Sequence, residues 1–341
     1  MLGEDVNWLC TPTSMSSYST KIRQEIDYFK DKTELHELPA IFHYWSNKYL
    51  RPKCESLGFS NPNDFYVQYI ERAARNRLGD VCRILSIGAG NCETEVNLAK
   101  ILVEKGVQNF HFDCLELNPH MLARGRQVAA AHHVSERFGF IETDINHWQT
   151  EHTYPIVIAS ESLHHVVDLE TLFDKLHAAL DDRGFILTND MIGRNGHMRW
   201  PEALEIVSAL WVTLDDRHKW NHQLSRFEAK FDNWDCSKQG FEGIRAQDIL
   251  PLLIQRFVFD CFLGFANLIG VFVDRNFGPN FDPGNPRDRS FVDFVAGLDD
   301  HLIEIGKLKP TQMIAAIIKD KTVSPKVYKH LTPEFCVREV N

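Results

Sequence analysis

Residues 84–96 read ILSIGAGNCETEV, and this stretch decides the fold. An apolar run ends at Gly88 and Gly90, and a helical pattern begins directly after them. Glycine allows a tight turn, and it lets a ligand approach the backbone because no Cβ is in the way. A strand, a Gly-x-Gly turn and a helix in this order predict the first unit of an α/β sheet with a ligand at the turn. The turn alone is also typical of a tight bend that binds nothing.

The residues around this stretch alternate between short apolar runs and longer helical patterns. Strands are predicted over residues 82–88, 110–117, 138–145, 154–163 and 185–191, and helices over 93–106, 118–133 and 168–184. Such alternation is typical of βαβ units and of a parallel, doubly wound sheet. Ligands of these sheets bind beyond the carboxyl ends of the strands, so we expect the functional residues at that edge.

The whole chain divides into four predicted segments. They are an N-terminal helical segment or lid (1–80), the ligand-binding core of the sheet (81–191), a helical insertion after strand five that shapes an acceptor pocket (192–250), and C-terminal elements that complete the sheet (251–341). Within the last segment, strands are predicted inside 256–273 and over 311–320, and a helix over 290–306.

The composition disfavours several functional classes. The 341 residues include 47 acidic and 37 basic ones, and the net charge of −10 disfavours a general nucleic-acid binder. The most apolar stretch, residues 251–273, contains Arg256 and Asp260, which predicts a buried segment rather than a membrane span. No secretory signal is visible in residues 1–17. We therefore expect a soluble, cytoplasmic protein that binds neither nucleic acid nor membrane.

Metal-ligand spacing is missing from the sequence. None of the eight cysteines forms CxxC or stands near a histidine at zinc spacing, which predicts reduced, buried thiols. His164 and Asp168, four residues apart, are the nearest approach to a helical metal site. We expect no metal requirement.

Three acidic residues stand where they matter for a ligand. Glu93 takes the place of the third glycine of a dinucleotide fingerprint, and a carboxylate at a helix N-terminus repels a pyrophosphate but suits an ammonium group. Glu116 ends the second predicted strand, where an acid accepts hydrogen bonds from two ribose hydroxyls. Asp144 ends the third, where an acid can accept a hydrogen bond from an adenine amino group. Glu116 and Asp144 are each also explained as helix caps.

Together with ASESLHHV (159–166) after the fourth strand, these features resemble the class I S-adenosylmethionine (SAM)-dependent methyltransferases over roughly residues 80–190. The resemblance implies a Rossmann-like, doubly wound, mostly parallel seven-stranded sheet, SAM as methyl donor and S-adenosylhomocysteine (SAH) as product. The donor contacts that it implies are Gly88, Ala89, Gly90, Glu116, Leu117, Asp144, Ile145, Ser160 and Glu161. The family often has an acid two residues before the first glycine. Here that position is Ser86, and Glu93 is predicted to compensate.

The acceptor is predicted to be a small molecule. Residues 160–190 resemble the small-molecule branch, because the Asn-Pro-Pro-Tyr of the nucleic-acid and protein amide branch is replaced by Ser-Glu-Ser-Leu-His-His. His164 and His165 favour a hydroxyl acceptor, since imidazole can take a proton near neutral pH. We expect His165 to be the base, with His164 and Asp190 as further catalytic candidates. The two histidines are also explained as a helix cap and a packing residue.

Six further residues are candidates for binding the acceptor: Tyr44, Trp45, Arg194, His197, Trp200 and Arg245. The two N-terminal aromatic residues suit a lid over the donor and suit core packing equally well. Arg245 is also explained as half of a surface ion pair.

Three alternatives stay open at this point. The favoured interpretation has oxygen as the acceptor atom, and nitrogen and carbon remain open as alternatives. Under this interpretation the substrate is a sugar-like molecule or a natural-product intermediate. A non-catalytic binding or scaffold protein with the same fold is the second reading. A nicotinamide-dependent oxidoreductase is the third, and Glu93 disfavours it. A homodimer is neither required nor excluded.

Overall fold

The computed structural model describes residues 12–31, 37–77, 80–238, 240–320 and 322–339. The strands are β1 (Cys82–Ile87), β2 (Phe110–Glu116), β3 (Phe138–Glu142), β4 (Tyr154–Ser160), β5 (Leu180–Met191), β6 (Trp220–Asn221), β7 (Arg226–Phe227), β8 (Val258–Phe265), β9 (Gln312–Ile318) and β10 (Lys326–Val327).

The α-helices are α1 (Pro12–Phe29), α2 (Ala40–Trp45), α3 (Arg51–Leu57), α4 (Pro62–Arg75), α5 (Glu93–Glu104), α6 (Pro119–Ala131), α7 (Leu169–Ala179), α8 (Pro201–Val212), α9 (Ala246–Arg256), α10 (Leu268–Val273), α11 (Pro286–Glu304) and α12 (Pro333–Cys336). A π-helical turn, Ser46–Leu50, joins α2 to α3.

One large sheet organises the molecule, with the strand order β10-β8-β9-β5-β4-β1-β2-β3. Strands β1 to β5 are parallel, and β9 runs antiparallel to both β5 and β8. The central strands β1 and β4 are buried on both faces, as parallel strands covered by helices must be. The predicted Rossmann-like, doubly wound α/β fold is therefore confirmed.

The sheet differs from the prediction in two details. It has eight strands rather than seven, because the two-residue strand β10 adds to the edge beside β8. The helix predicted over 168–184 ends at Ala179, and Leu180 already pairs with Tyr154 of β4. Sheet pairing thus outweighs the helical pattern of the residues before Gly184.

The segment between β5 and β8 crosses the carboxyl edge of the parallel strands. It contains α8, the two-stranded hairpin β6–β7 and α9, so the predicted helical insertion is a mixture of helix, hairpin and irregular backbone. The apolar stretch 251–273 forms the end of α9, the buried strand β8 and the short buried helix α10. Among the described residues, no helix has the length and apolar character to cross a membrane.

The N-terminal helices pack on two sides of the sheet. Helix α4 lies against α5 and against β4 and β5, and its apolar face is buried. Helix α2 packs against α10 and α11. Helix α1 is held at the carboxyl edge, because Asn118 Nδ2 donates a hydrogen bond to the carbonyl of Ile26 and Arg124 Nη2 donates one to the carbonyl of Phe29.

Candidate active site

A cavity of about 910 Å³ opens at the carboxyl edge of the parallel strands. Its walls come from the turn after β1, the ends of β2 and β4, helix α1 and the segment between β5 and β9. Cavities that hold cofactors and small substrates have volumes of roughly 300–1,000 Å³. The cavity is therefore large enough for a nucleoside-sized ligand, and it lies at the edge where the sequence predicts the site.

The turn after β1 needs both of its glycines. Gly88 and Gly90 have φ angles of +63° and +55°, in the left-handed region that glycine tolerates. A Cβ on Gly88 would lie 2.8 Å from the Cβ of Ser162, so the loops after β1 and β4 can approach only because Gly88 has no side chain. Gly88, Ala89 and Gly90 all line the cavity, as predicted residues of the donor site.

Glu116 at the end of β2 is tied to this turn. Its Oε2 accepts a hydrogen bond from the Gly90 amide at 3.0 Å, and its Oε1 accepts one from the Asn118 amide at 2.8 Å. Burial raises the pKa of Glu116 even though both amides favour the ionised form. A carboxylate has about four acceptor positions, so two remain for hydroxyl groups in the cavity. Leu117, beside it, lines the cavity as well.

A second buried acid, Glu95, lies in the first turn of α5. Ser86 Oγ donates a hydrogen bond to Glu95 Oε1 at 2.5 Å, whereas Oε2 is buried and has no hydrogen-bond partner among the described residues. Burial raises the pKa of Glu95 to about 7. Glu95 lines the cavity and Glu93 does not. The carboxylate that lines the cavity at this helix is therefore Glu95, two residues after the predicted Glu93. Half a turn of helix brings Glu95 onto the face that meets β1.

Asp144 lies after β3 and is engaged by its neighbours. Its Oδ2 accepts a hydrogen bond from the Tyr18 hydroxyl at 2.8 Å, and its Oδ1 accepts one from the Asn146 amide at 2.9 Å. Burial would raise the pKa of Asp144, but these hydrogen bonds outweigh it and lower the pKa. Asp144 and Ile145 line the cavity. The carboxylate therefore both caps its own turn and holds α1 over the cavity.

The end of β4 supplies the next wall. Ser160 and Glu161 line the cavity, and Glu161 has a φ of +51°, which is unusual for a residue with a side chain. The Glu161 amide donates a hydrogen bond to the carbonyl of Asn189 at 2.7 Å. This bond holds the bend that turns residues 162–165 toward the cavity.

His164 is a buried residue of the cavity wall and is oriented by Asp190. The Oδ1 of Asp190 lies 2.6 Å from His164 Nδ1, and its Oδ2 accepts hydrogen bonds from the amides of Ser162 and Leu163. Burial would lower the pKa of His164, but Asp190 and Glu242 outweigh it and raise the pKa to about 10. Asp190 itself does not line the cavity. It therefore positions His164, and the prediction that Asp190 acts as a base is not met by the geometry.

The carboxylate of Glu242 is the meeting point of three imidazoles. Its Oε1 lies 2.6 Å from His197 Nε2 and 3.4 Å from His164 Nε2, and its Oε2 lies 3.3 Å from His165 Nε2. Burial would raise the pKa of Glu242, but the hydrogen bonds with His164 and His197 hold it well below its usual range. We call His164, His165, His197 and Glu242 the histidine cluster. All four residues line the cavity.

Two of these imidazoles have further partners or constraints. The Nδ1 of His165 lies 3.2 Å from Glu25 Oε1 on helix α1. His197 has a φ of +53°, and its ring packs against Gly243, where a Cβ would lie 3.1 Å from His197 Nδ1. Burial lowers the pKa of His197. Glycine at position 243 therefore makes room for the ring that reaches Glu242.

The remainder of the cavity has both polar and apolar walls, the apolar ones including Leu224, Phe231 and Phe277. The side chains that line it include Arg194, Arg199, Asn221, Gln223, Asn233 and Asn276. Arg199 donates hydrogen bonds to the carbonyls of Asn267 and His197, and the Oδ1 of Asn276 is buried with no hydrogen-bond partner among the described residues. This end of the cavity suits an acceptor with several hydrogen-bonding groups.

Two predicted substrate residues of the insertion lie outside the cavity. Trp200 packs against the guanidinium groups of Arg194 and Arg338, at 5.5 and 4.3 Å from its ring. Arg245 binds Glu170 and Asp248, with distances of 2.5 and 2.8 Å. The ion-pair interpretation of Arg245 is the one that the geometry supports.

The N-terminal segment covers the cavity with helix α1, and not with α2, which contains the predicted lid residues Tyr44 and Trp45. Trp45 is buried in the core, and the hydroxyl of Tyr44 donates a hydrogen bond to Asp293 at 2.9 Å. Neither residue lines the cavity, which α1 covers instead with residues that include Tyr18 and Glu25. The core-packing alternative for Tyr44 and Trp45 is therefore the one that the geometry supports.

The sequence interpretation missed Glu95 and Glu242. Glu95 has a visible signal, since it lies in line with the buried stripe of Leu98, Ala99 and Leu102 at helical spacing. A carboxylate on a buried helix face is costly unless it has a partner, so its position predicts a functional or structural partner. Glu242 has no such signal, because it meets His164 only after 77 intervening residues have folded back.

Comparisons with known proteins give one family match. Residues 85–186 match the family described as a methyltransferase domain. A search of curated proteins found no match to the sequence. The matched residues run from β1 into β5 and include the glycine turn, Glu95, Glu116, Asp144, His164 and His165 of the cavity lining. It confirms the predicted methyltransferase family and the predicted class of enzyme.

Solved structures resemble the chain at low identity. The DszA carbon methyltransferase is 15% identical, with 39% of this chain and 35% of that chain covered and a TM-score of 0.34. The C-methyltransferase (CMeT) domain of the citrinin polyketide synthase is 22% identical, with 40% and 38% covered and a TM-score of 0.34. A SAM-dependent methyltransferase from Geobacter sulfurreducens with SAH is 13% identical, with 84% and 100% covered and a TM-score of 0.40. The chain spans little more than a third of the first two, so the assignment depends on the family match and the site.

Proposed function

We propose that this chain, a methyltransferase by its domain, transfers the methyl group of SAM to a hydroxyl oxygen of a polar small molecule. One observation carries the proposal. The same cavity is lined at one end by the glycine turn with Glu95 and Glu116, and at the other by the histidine cluster. A donor and an acceptor can therefore meet in one enclosed space.

The donor end suits the groups that SAM carries. Glu95 offers a buried, unpartnered carboxylate oxygen to the ammonium group of the methionine part. Glu116 keeps two acceptor positions for the ribose hydroxyls, and Gly88 leaves backbone space where a Cβ would collide with Ser162. An ion pair with a buried carboxylate is strong because the surrounding dielectric is low.

The residues of this chain position the acceptor and receive its proton. Bound SAM supplies a methyl group on a sulfonium, and the acceptor oxygen forms the new C–O bond as the C–S bond breaks and its electrons pass to sulfur. The polar end of the cavity aligns the acceptor, and alignment contributes much of the rate of such a displacement. The hydroxyl proton leaves to His165, the most exposed imidazole of the histidine cluster.

The acceptor class follows from the lining of the cavity. Four amide side chains of the segment between β5 and β9 line the cavity, beside apolar residues such as Phe231 and Phe277, and amides both donate and accept hydrogen bonds. Asn276 presents a buried oxygen that has no partner among the described residues, so a hydroxyl or amine of the acceptor can satisfy it. These features support a polyhydroxylated, sugar-like or natural-product acceptor. Repulsion from a chain with net charge −10 adds to the case against nucleic acid.

The first experiment measures ligand binding by calorimetry with SAH, SAM and NAD. We expect SAH and SAM to bind with one site each and NAD to give no heat of binding. Failure of SAH to bind would reject the proposal, and binding of NAD in place of SAH would favour the oxidoreductase reading.

The second experiment identifies the acceptor atom. Protein and SAM carrying a ¹³C-labelled methyl group are incubated with fractionated metabolite extract, and the product is examined by NMR. We expect a methoxy signal and stoichiometric SAH. An N-methyl or C-methyl signal would assign the other acceptor atoms, and SAH binding without turnover in any fraction would favour the scaffold reading.

A further inference from the structure

We propose that His164, His165 and Glu242 of the histidine cluster bind one divalent transition-metal ion of the Zn²⁺ type, with the fourth coordination position open to the cavity. Binding of the ion depends only on these residues and on the groups that hold them. The chemistry that the ion supplies depends on the proposed methyl transfer. The inference is opposed to our expectation that the protein needs no metal.

The spacing of the ligand atoms is the first argument. Nε2 of His164 and Nε2 of His165 lie 3.4 and 3.3 Å from the carboxylate oxygens of Glu242. These are long for hydrogen bonds between charged groups, which are usually about 2.7–2.9 Å. They equal the separation of about 3.3 Å between neighbouring ligands of a tetrahedral zinc ion with bonds of about 2.0–2.1 Å. His197 Nε2, at 2.6 Å from Oε1 of Glu242, is at hydrogen-bond distance and holds the carboxylate from outside the ligand set.

The convergence of ligands extends beyond one pair of atoms. One atom each of His164, His165 and Glu242 lie within 4.8 Å of one another, and the same holds for His197, Cys236 and Glu242. The two groups share the Glu242 carboxylate. The first group supplies the three ligands, and His197 of the second group contacts the shared carboxylate.

The closeness of the two rings is the second argument. The ring centres of His164 and His165 lie only 4.4 Å apart, and Nε2 of each ring lies within 3.4 Å of an oxygen of Glu242. A divalent ion accommodates this arrangement, because imidazoles bind metals in the neutral form and direct Nε2 lone pairs to them.

The outer partners of the histidines are the third argument. Metal-binding histidines usually donate the other ring N–H to a carboxylate or carbonyl, which fixes the tautomer and orients the ring. Asp190 lies 2.6 Å from His164 Nδ1, and Glu25 lies 3.2 Å from His165 Nδ1. Asp190 is itself held by the amides of Ser162 and Leu163. The arrangement has the ligands and the groups that support them.

The ligand set favours a particular class of ion. Imidazole suits Zn²⁺, Cu²⁺, Fe²⁺ and Ni²⁺, whereas Mg²⁺ and Ca²⁺ prefer oxygen ligands. The ligands line a cavity that extends well beyond them, so an acceptor hydroxyl can reach the ion. An ion there would polarise the hydroxyl oxygen, and with His165 bound to the ion the proton would leave to solvent at near-neutral pH in place of the imidazole. The ion is thus expected to hold the acceptor oxygen and to lower the pKa of its hydroxyl.

The test measures metal binding directly. The full chain is purified, stripped with a chelator, and titrated calorimetrically with ZnCl₂. Bound metal is counted by mass spectrometry after gel filtration, and Co²⁺ is added to a second sample to record its visible spectrum. We expect one Zn²⁺ per chain and the intense visible absorption of four-coordinate Co²⁺. Mg²⁺ is expected to show no binding.

Variants assign the site. Glu242→Gln is expected to weaken Zn²⁺ binding by more than about 100-fold, and His197→Ala and Glu25→Gln by about 10–100-fold. His301→Ala, an exposed histidine of α11, is the matched control and should bind as the original chain does. Far-ultraviolet circular dichroism of the metal-free proteins tests whether each variant folds. Glu25→Gln keeps the test decisive should Glu242→Gln fail to fold.

The outcomes separate this inference from the proposed function. SAH binding is measured on the same metal-free sample. SAH binding without stoichiometric Zn²⁺ binding overturns the metal site and leaves the methyltransferase standing. Zn²⁺ binding without SAH binding supports the metal site and rejects the proposed methyl transfer. Zn²⁺ binding that is unchanged in Glu242→Gln, His197→Ala and Glu25→Gln also overturns the inference, because the ion then binds elsewhere.

Discussion

The hydroxyl of Ser86 donates a hydrogen bond to Oε1 of Glu95 at 2.5 Å and leaves Oε2, in the cavity wall, buried without a partner among the described residues. The position that carries an acid in many related methyltransferases is thus a serine here, and the acid comes from one turn inside α5. The carboxylate reaches the same end of the cavity from a different element. Four predictions test this pair and the residues around it.

The first prediction concerns donor binding by Glu95→Gln. We expect SAH to bind this variant about 10–100-fold more weakly at pH 8, because a charged hydrogen bond to the ammonium group is lost. The pKa of Glu95 is raised to about 7, so in the unchanged chain the dissociation constant should rise by up to about tenfold per unit below pH 7. In Glu95→Gln the dissociation constant should not show this dependence on pH. Calorimetry with SAH between pH 5.5 and 8 measures the constant for both proteins. The same pH dependence in both would contradict the assignment of Glu95 to the ammonium group.

The second prediction concerns the stability of the same variant without ligand. The pKa of Glu95 rises on folding from 4.5 to about 7, so its contribution to stability is full below pH 4.5 and is lost as the pH rises through 7. That loss is about 3 kcal/mol. Only the original chain loses this contribution. The free energy of unfolding of Glu95→Gln, relative to that of the original chain, should therefore rise by about 3 kcal/mol between pH 4.5 and 8. Urea unfolding at several pH values measures it, and a constant difference would disprove the burial argument.

The third prediction concerns Glu116→Ala. The change removes the acceptor positions that we assign to the ribose hydroxyls, and SAH binding should weaken by about 2–4 kcal/mol. Glu142→Ala is the matched control, because Glu142 pairs with Glu116 across β2 and β3 but is exposed and lies outside the cavity. Calorimetry with SAH compares the two. An unchanged dissociation constant for Glu116→Ala would reject the donor assignment.

The parts of this site that the sequence predicted depend on local patterns. The turn at Gly88 and Gly90 and the acid at Glu116 follow from strand ends and turn chemistry, which a short window of sequence contains. Glu242 could not be found in this way, because its partners are set by how the segment after β5 folds back across the sheet. Tyr44 could not be assigned either, since an aromatic residue on a helix suits a lid and a core equally until Asp293 is seen beside it.

The fourth prediction concerns His165. Its Nε2 lies 3.3 Å from Glu242 and its ring is partly exposed to the cavity, where an acceptor hydroxyl can approach it. His165→Ala removes the imidazole that accepts the proton or holds an ion that acidifies the hydroxyl. Turnover should fall about 10²–10⁴-fold. The dissociation constant of SAH should stay within about threefold, because Glu95 and Glu116 are unchanged.

Two controls make this last measurement specific. His301→Ala should keep full turnover, since that side chain is exposed on α11 and far in sequence from the cluster. Added imidazole should restore part of the turnover of His165→Ala if the loss comes from the missing ring and not from a disturbed fold. An amine acceptor attacks with its own lone pair and needs no such group. A loss of less than about tenfold on the true acceptor would therefore reject the hydroxyl assignment and favour methyl transfer to nitrogen.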